Sequence, residues 1–510
     1  MRNFLEFGTK AIISIGIFLG IFVGEVHAKN FQGAFPSVFN LSNINGINGF
    51  AIDGVNLGAP NKYTLGSTSG SGDINGDGIN DFIIGAPYAN ENSGQVYVIF
   101  GSNHKWPVFM NITNLNGVNG FAVNGIHSND TSGYSVSIID DVNGDNVDDV
   151  LIGAPHEDGS MGQSYVVFGG SHKWPAVINL TGLNGNNGFA MNGQGFSVSS
   201  AGDVNADGIA DILIGIYYRD YNERKQCLYV VFGAKTNWPA FVDLKKLDGT
   251  NGFVINCPVP SVFYFESHAS NLGDINDDGI DDIIVELHGG NNVGKRDFVL
   301  FGKETEWPAV FELSGLDGTN GFIINRLNTD LYFGGRCISG VGDINDDGIN
   351  DILMSAYSFS DWKQSGQTYV IFGSRQVWPK AINVTDLNGD NGFTVNGFPF
   401  DGSNQQTDGF FINKAKDVNG DGIDDILIGS RYNNRGSVVF GSKEEWPAMV
   451  NLDKLDGFNG FVMDGIEGND RCGLVVNGIG DINGDGKNDV LIECPNANYG
   501  EGRVYIIFGE

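Results

Sequence analysis

A nine-residue acidic pattern, Asp-x-Asn-x-Asp-Gly-x-x-Asp, occurs seven times along this 510-residue chain. The copies start at Asp73, Asp141, Asp203, Asp274, Asp343, Asp417 and Asp481. Successive starts are 68, 62, 71, 69, 74 and 64 residues apart. Spacing that regular means one structural unit repeated, so the fold is an array.

Other landmarks keep phase with the acidic pattern. An apolar run follows it, as in Val150 to Ile152 or Ile426 to Ile428. After a polar turn, a second run ends in Phe-Gly, from Phe100-Gly101 to Phe508-Gly509. Trp-Pro follows six times, at Trp106, Trp174, Trp238, Trp307, Trp378 and Trp446. Next come a short segment like Val177 to Leu180, a turn like Asn187-Gly-Phe189, and a Gly-rich run like Gly133 to Ile138. Each unit thus has four strand-sized segments and no useful 3.6-residue period. The 76 Gly and 36 Phe against 14 Pro fit an all-β chain with many tight turns.

Four strands repeated seven times predict a seven-bladed β-propeller with four antiparallel strands per blade. The run after the acidic pattern is apolar at every position, which suits a strand sandwiched between two blades. Val38 to Leu41 matches Val177 to Leu180, and the last repeat stops at Glu510 without that segment. The N-terminal strand is therefore expected to complete the last blade and close the ring. An open solenoid is the alternative, and it needs capping repeats, of which the sequence shows none.

The acidic patterns are candidate metal loops. Calcium takes six to eight oxygen ligands, and side chains at positions 1, 3, 5 and 9 with the position-7 carbonyl supply such a set. In the first two copies these are Asp73, Asn75, Asp77, Ile79 and Asp81, then Asp141, Asn143, Asp145, Val147 and Asp149. The third and fourth give Asp203, Asn205, Asp207, Ile209 and Asp211, then Asp274, Asn276, Asp278, Ile280 and Asp282. The fifth and sixth give Asp343, Asn345, Asp347, Ile349 and Asp351, then Asp417, Asn419, Asp421, Ile423 and Asp425. The seventh gives Asp481, Asn483, Asp485, Lys487 and Asp489, so up to seven Ca2+ ions are expected. Position 6 must turn sharply, which selects Gly, or Asn at Asn146. The competing reading is a plain Asx-rich turn. Crowded carboxylates without a cation repel one another, which favours the metal. Position 12 lacks the EF-hand glutamate and the flanks are strands, so this is a calcium loop within a β-hairpin.

Residues 1–28 read as a signal peptide: Arg2 and Lys10, an apolar run from Ala11 to Val23, then Val26-His-Ala28. That run is too short for a comfortable span, so no integral membrane span is expected after cleavage. The mature domain is then residues 29–510, secreted or at the cell surface. A net charge of −32 disfavours nucleic acid and anionic lipid as partners. Of five Cys, Cys227 with Cys257 and Cys472 with Cys494 are candidate pairs, and buried free thiols are the alternative.

The acidic loop, the apolar strand and Gly85-Ala-Pro87 or Gly153-Ala-Pro155 resemble the FG-GAP repeat. Tyr332-Phe-Gly334 and Gly133 to Val136 fit its other half. FG-GAP repeats build the N-terminal propeller of integrin α chains. The resemblance covers residues 36–510 and implies calcium in hairpin loops on one face and partner-binding loops on the other. Here all seven repeats carry the acidic loop, unlike integrin α chains, and five lack Gly-Ala-Pro.

The chain carries no Gly-x-Ser-x-Gly, His-Glu-x-x-His or phosphate-loop motif. The repeated turn that holds His104 and His172 reads as structural, and the repeated Trp reads as packing. The expected function is therefore non-enzymatic: an adhesion or protein-interaction module for an extracellular protein or glycan ligand. The alternative is a lectin-like or glycan-processing propeller.

Overall fold

The computed structural model describes residues 35–53, 68–155, 162–193, 195–218, 226–235, 238–257, 265–289, 296–326, 338–356, 366–398, 411–500 and 502–510. Ala34–Glu510 forms one compact unit. The expected leader, Tyr332 to Gly334 and the Cys227 side chain lie outside the described residues.

Seven separate sheets form. In the first blade, Thr68–Gly72, Asp81–Ala86, Gln95–Ile99 and Gly120–Asn124 pair antiparallel in chain order. The innermost strands of successive blades lie side by side, and the last of them, Val476–Gly480, returns to Thr68–Gly72. The ring is therefore closed. Among the described residues no helix is long and apolar enough to cross a membrane.

The second strand of each blade explains the unbroken apolar runs. In the third blade, Ile212 and Ile214 pack toward the second blade, whereas Leu213 packs toward the fourth. Alternate residues thus face opposite neighbours, and both faces are dry. The core accordingly consists of seven apolar layers, one between each pair of adjacent blades.

Two strand assignments differ from the sequence expectation. The segment typified by Val177–Asn179 is not one of the four antiparallel strands. It pairs parallel to Gly120–Asn124, as a fifth strand on the preceding blade. The fourth antiparallel strand starts at the glycine of Asn-Gly-Phe, which reads as a turn in sequence. Gly49 shows why: its φ is +140°, and a Cβ there would lie 2.1 Å from the Ile506 carbonyl oxygen. That glycine marks close strand contact.

Ring closure changes in the same way. Val38–Asn40 is the fifth strand of the sixth blade, parallel to Gly460–Asp464. The last blade is completed by Gly49–Asp53, antiparallel to Arg503–Ile507. The N-terminal region therefore locks the ring with two strands in two blades.

Each fifth strand is held by an aromatic stack. Trp106 lies 4.3 Å from Phe50, with ring planes 6° apart. Trp174 with Phe121, Trp238 with Phe189, Trp307 with Phe253, Trp378 with Phe322 and Trp446 with Phe393 repeat the arrangement at 4.2–4.4 Å. Phe35, followed by Pro36, takes the seventh place and stacks on Phe461 at 4.2 Å. The Trp residues are packing elements, each joining a blade to its predecessor. Cys472 and Cys494 form a disulfide within the last blade.

Candidate metal loops

Every acidic loop joins the first and second strands of its blade, so all seven lie at one end of the ring. Their geometry repeats closely. The position-6 amide donates to the position-1 carboxylate at 2.6–2.8 Å in all seven, as from Gly78 to Asp73 and from Asn146 to Asp141. The position-7 amide donates to the position-5 carboxylate, as from Ile79 to Asp77 and from Lys487 to Asp485, both within 2.9–3.0 Å. Position 6 has positive φ throughout, from 67° at Asn146 to 91° at Gly486. Position 4 is left-handed too, including Ala206, Asp277 and Asp346, a feature the sequence pattern did not reveal.

The position-9 carboxylates are fully buried. Asp81 accepts from the amides of Ile74 and Gly101, each at 2.9 Å. Asp211 accepts from Val204 at 3.1 Å and Gly233 at 2.9 Å. The same two bonds occur in every blade. The Phe-Gly landmark thus acquires a reason: its glycine donates to the last acid of the loop. Replacing Asp211 by Ala leaves two buried amides unpaired. The expected destabilisation is about 2–6 kcal/mol, read from urea unfolding.

Burial pushes the position-9 acids well above the ordinary carboxylate range, and their position-1 and position-5 neighbours push the same way. The fold therefore brings the predicted acids into mutual repulsion at every blade. Among the described residues, no three acidic, His or Cys side chains converge closely enough to hold an ion by themselves. A loop ligand set must also draw on the position-3 amide and the position-7 carbonyl. Capacity remains for this: a carboxylate offers about four lone-pair sites. Asp73 uses three on Gly76, Asp77 and Gly78. The buried Asn75 Oδ1 has no hydrogen-bond partner.

Position 8, absent from the predicted set, links neighbouring loops. Asp148 accepts from the Asp73 amide at 2.7 Å, Asp281 from Asp203 at 2.8 Å and Asp424 from Asp343 at 3.1 Å. Asn80 does the same for Asp481 at 3.0 Å. Burial raises Asp148 to about 6; the Asp73 amide opposes this, and the Asp140, Asp73 and Asp141 charges add to it. A folded value above the unfolded one means this carboxylate weakens the fold above pH 6. That penalty fades as pH falls through 6. Asp148→Asn keeps the accepting oxygen, as Asn80 does, and removes the charge. It is expected to stabilise by about 1–2 kcal/mol at pH 7.5, discounted for partial exposure, and by less at pH 4.5. Paired melts at the two pH values check it.

The FG-GAP repeat family matches residues 65–99 and 132–167, within the first two blades. Integrin alpha-5 of Xenopus laevis is 30% identical over 228 residues, covering 43% of this chain and 19% of that protein. Integrin alpha-V of Gallus gallus is 29% identical over 230 residues, 44% and 20% of the two chains. Integrin alpha-8 of Homo sapiens is 28% identical over 249 residues, 46% and 21%. The matches span about a fifth of each relative. The solved intramolecular trans-sialidase of Ruminococcus gnavus covers 87% of this chain and 94% of its own, with a TM-score of 0.32 at 9% identity. That likeness carries no argument.

Proposed function

We propose that this integrin-alpha-like FG-GAP propeller is an exported, calcium-stabilised adhesion or protein-interaction module. The observation that carries it is the sevenfold acidic loop, with three carboxylates in mutual repulsion beside a backbone carbonyl and an amide oxygen, which has no hydrogen-bond partner at Asn75 and accepts a single backbone amide at Asn205, Asn276, Asn345, Asn419 and Asn483. Hard oxygen donors of that kind suit Ca2+. In each loop the ligands are positions 1, 3, 5 and 9 with the position-7 carbonyl, for example Asp417, Asn419, Asp421, Ile423 and Asp425. A bound ion offsets two of the loop's three carboxylate charges and fixes the hairpin; it takes no part in chemistry. Similarity to integrin α chains supports an extracellular protein or glycan as the partner. The leader-like residues 1–28 support export.

The test is a biosensor panel of purified extracellular-matrix proteins and glycans over the immobilised protein, in calcium and then in chelator. Saturable, calcium-dependent capture of a panel member is expected. A panel with no binder to the calcium-loaded protein argues against the interaction-module reading.

A further inference from the structure

Adjacent acidic loops are tied together at every seam of the ring. The pair Gly101-Ser102 of the first blade shows how. The Gly101 amide donates to Asp81, the position-9 acid of its own loop, at 2.9 Å. The next amide, of Ser102, donates to the Ile482 carbonyl at 2.8 Å. Ile482 is position 2 of the seventh loop, between two of its proposed ligands. The same two bonds recur at the other six seams, at 2.8–2.9 Å to the acid and 2.9–3.2 Å to the carbonyl. Two consecutive amides thus hold two loops at once.

Position 8 supplies a second tie. It lies between ligand positions 7 and 9 of one loop and reaches position 1 of the preceding loop. Asp148, Asp281, Asp424 and Asn80 accept from the position-1 amide at 2.7–3.1 Å. Asn350 and Asn488 instead donate to the position-1 carbonyl, of Asp274 at 3.4 Å and of Asp417 at 3.1 Å. Of the seven position-8 residues, Ala210 alone has no polar side chain, and its seam keeps backbone bonds only.

These ties link the two states that a loop can take. In an empty loop three like charges drive positions 1, 5 and 9 apart; in a filled loop they converge on one ion. A filled loop fixes its position-9 acid and both flanks of position 8. With them it fixes the groups that hold positions 1 and 2 of the preceding loop. That neighbour then loses less conformational freedom when it fills. Such coupling is reciprocal. Repulsion between ions in adjacent loops opposes it and is screened by salt.

We propose that the seven loops fill cooperatively, each filled loop raising the calcium affinity of its neighbours about fivefold. Position 8 holds positioning residues: they touch the neighbouring loop's backbone and not the ion. The proposal deepens the calcium-loop reading and rests on it.

Calcium binding by the full chain is titrated against a chromophoric chelator at about 0.15 M salt. Equilibrium dialysis counts the ions at saturation. The wild-type isotherm is expected to be sigmoidal, with a Hill coefficient of about 2. Combining Asp148→Ala, Asp281→Ala and Asp424→Ala cuts three side-chain ties. The coefficient is expected to fall to about 1.5 and the midpoint to move about threefold higher, with the saturating count unchanged. The matching triple Asn variant keeps the acceptors without the charges, as Asn80 does, and is expected to stay near 2. Asn80→Ala with Asn350→Ala cuts two other ties with no change of charge, and serves if the triple Ala variant fails to fold. Saturable binding with a wild-type coefficient of 1 or below overturns the coupling and leaves the calcium loops standing. So does an unchanged coefficient in the folded Ala variants, or an equal loss in the Asn variant. A folded chain that binds no calcium overturns the loop reading and the coupling with it.

Discussion

Moving the protein from millimolar calcium into chelator is expected to lower its thermal midpoint by about 10 °C or more. A ligand that binds only the folded state at a hundred times its dissociation constant adds about 2.7 kcal/mol per site. Two occupied loops then contribute roughly as much as the whole stability of a marginal domain. The structure gives the reason for so large a response. Asp81, Asp149, Asp211, Asp282, Asp351, Asp425 and Asp489 are each buried from water beside the other acids of their own loop. The charges that act on them, at positions 1 and 5, are all carboxylates. On the proposed reading, a calcium ion in each loop relieves that repulsion. An unchanged melt would mean that the loops are turns held by their own hydrogen bonds.

Deleting residues 35–53 is expected to abolish cooperative folding. The deletion removes the fourth strand of the last blade and the fifth strand of the sixth. It also takes away Phe50 from Trp106 and Phe35 from Phe461. Arg503–Ile507 then becomes an open edge beside an unfilled apolar layer, which favours aggregation. Size-exclusion chromatography and denaturant unfolding read the outcome. A milder variant, Phe50→Ala, keeps the strands and empties only the stack. Its expected loss is about 3–5 kcal/mol. A deletion that still gave a monodisperse, cooperatively unfolding chain would show that the ring stands without its N-terminal lock.

The repeat number, the blade count and the all-β class were legible because each acidic loop brings the same punctuation with it. The order of strands within a blade was less legible. Val177–Asn179 and Gly188–Met191 are both short and apolar, and only pairing distinguishes the parallel fifth strand from the antiparallel fourth. Phe35-Pro36 escaped the Trp-Pro pattern because another aromatic fills the same slot against Phe461. At the loops, the left-handed position 6 followed from Gly and Asn. The matching turn at position 4 is marked by Gly76, Gly144, Gly420 and Gly484, but not by Ala206, which carries no such preference, and only weakly by Asp277 and Asp346. The position-8 side chains were also invisible. Their partners, such as Asp73 for Asp148, stand 75 residues away in the adjacent blade.

Equilibrium dialysis against radioactive calcium tests the central claim most directly, because it counts ions per folded chain. The account predicts saturable binding of several ions, up to seven, with Asp421→Ala losing one and the other blades unaffected. A folded protein that binds none at millimolar calcium would contradict it.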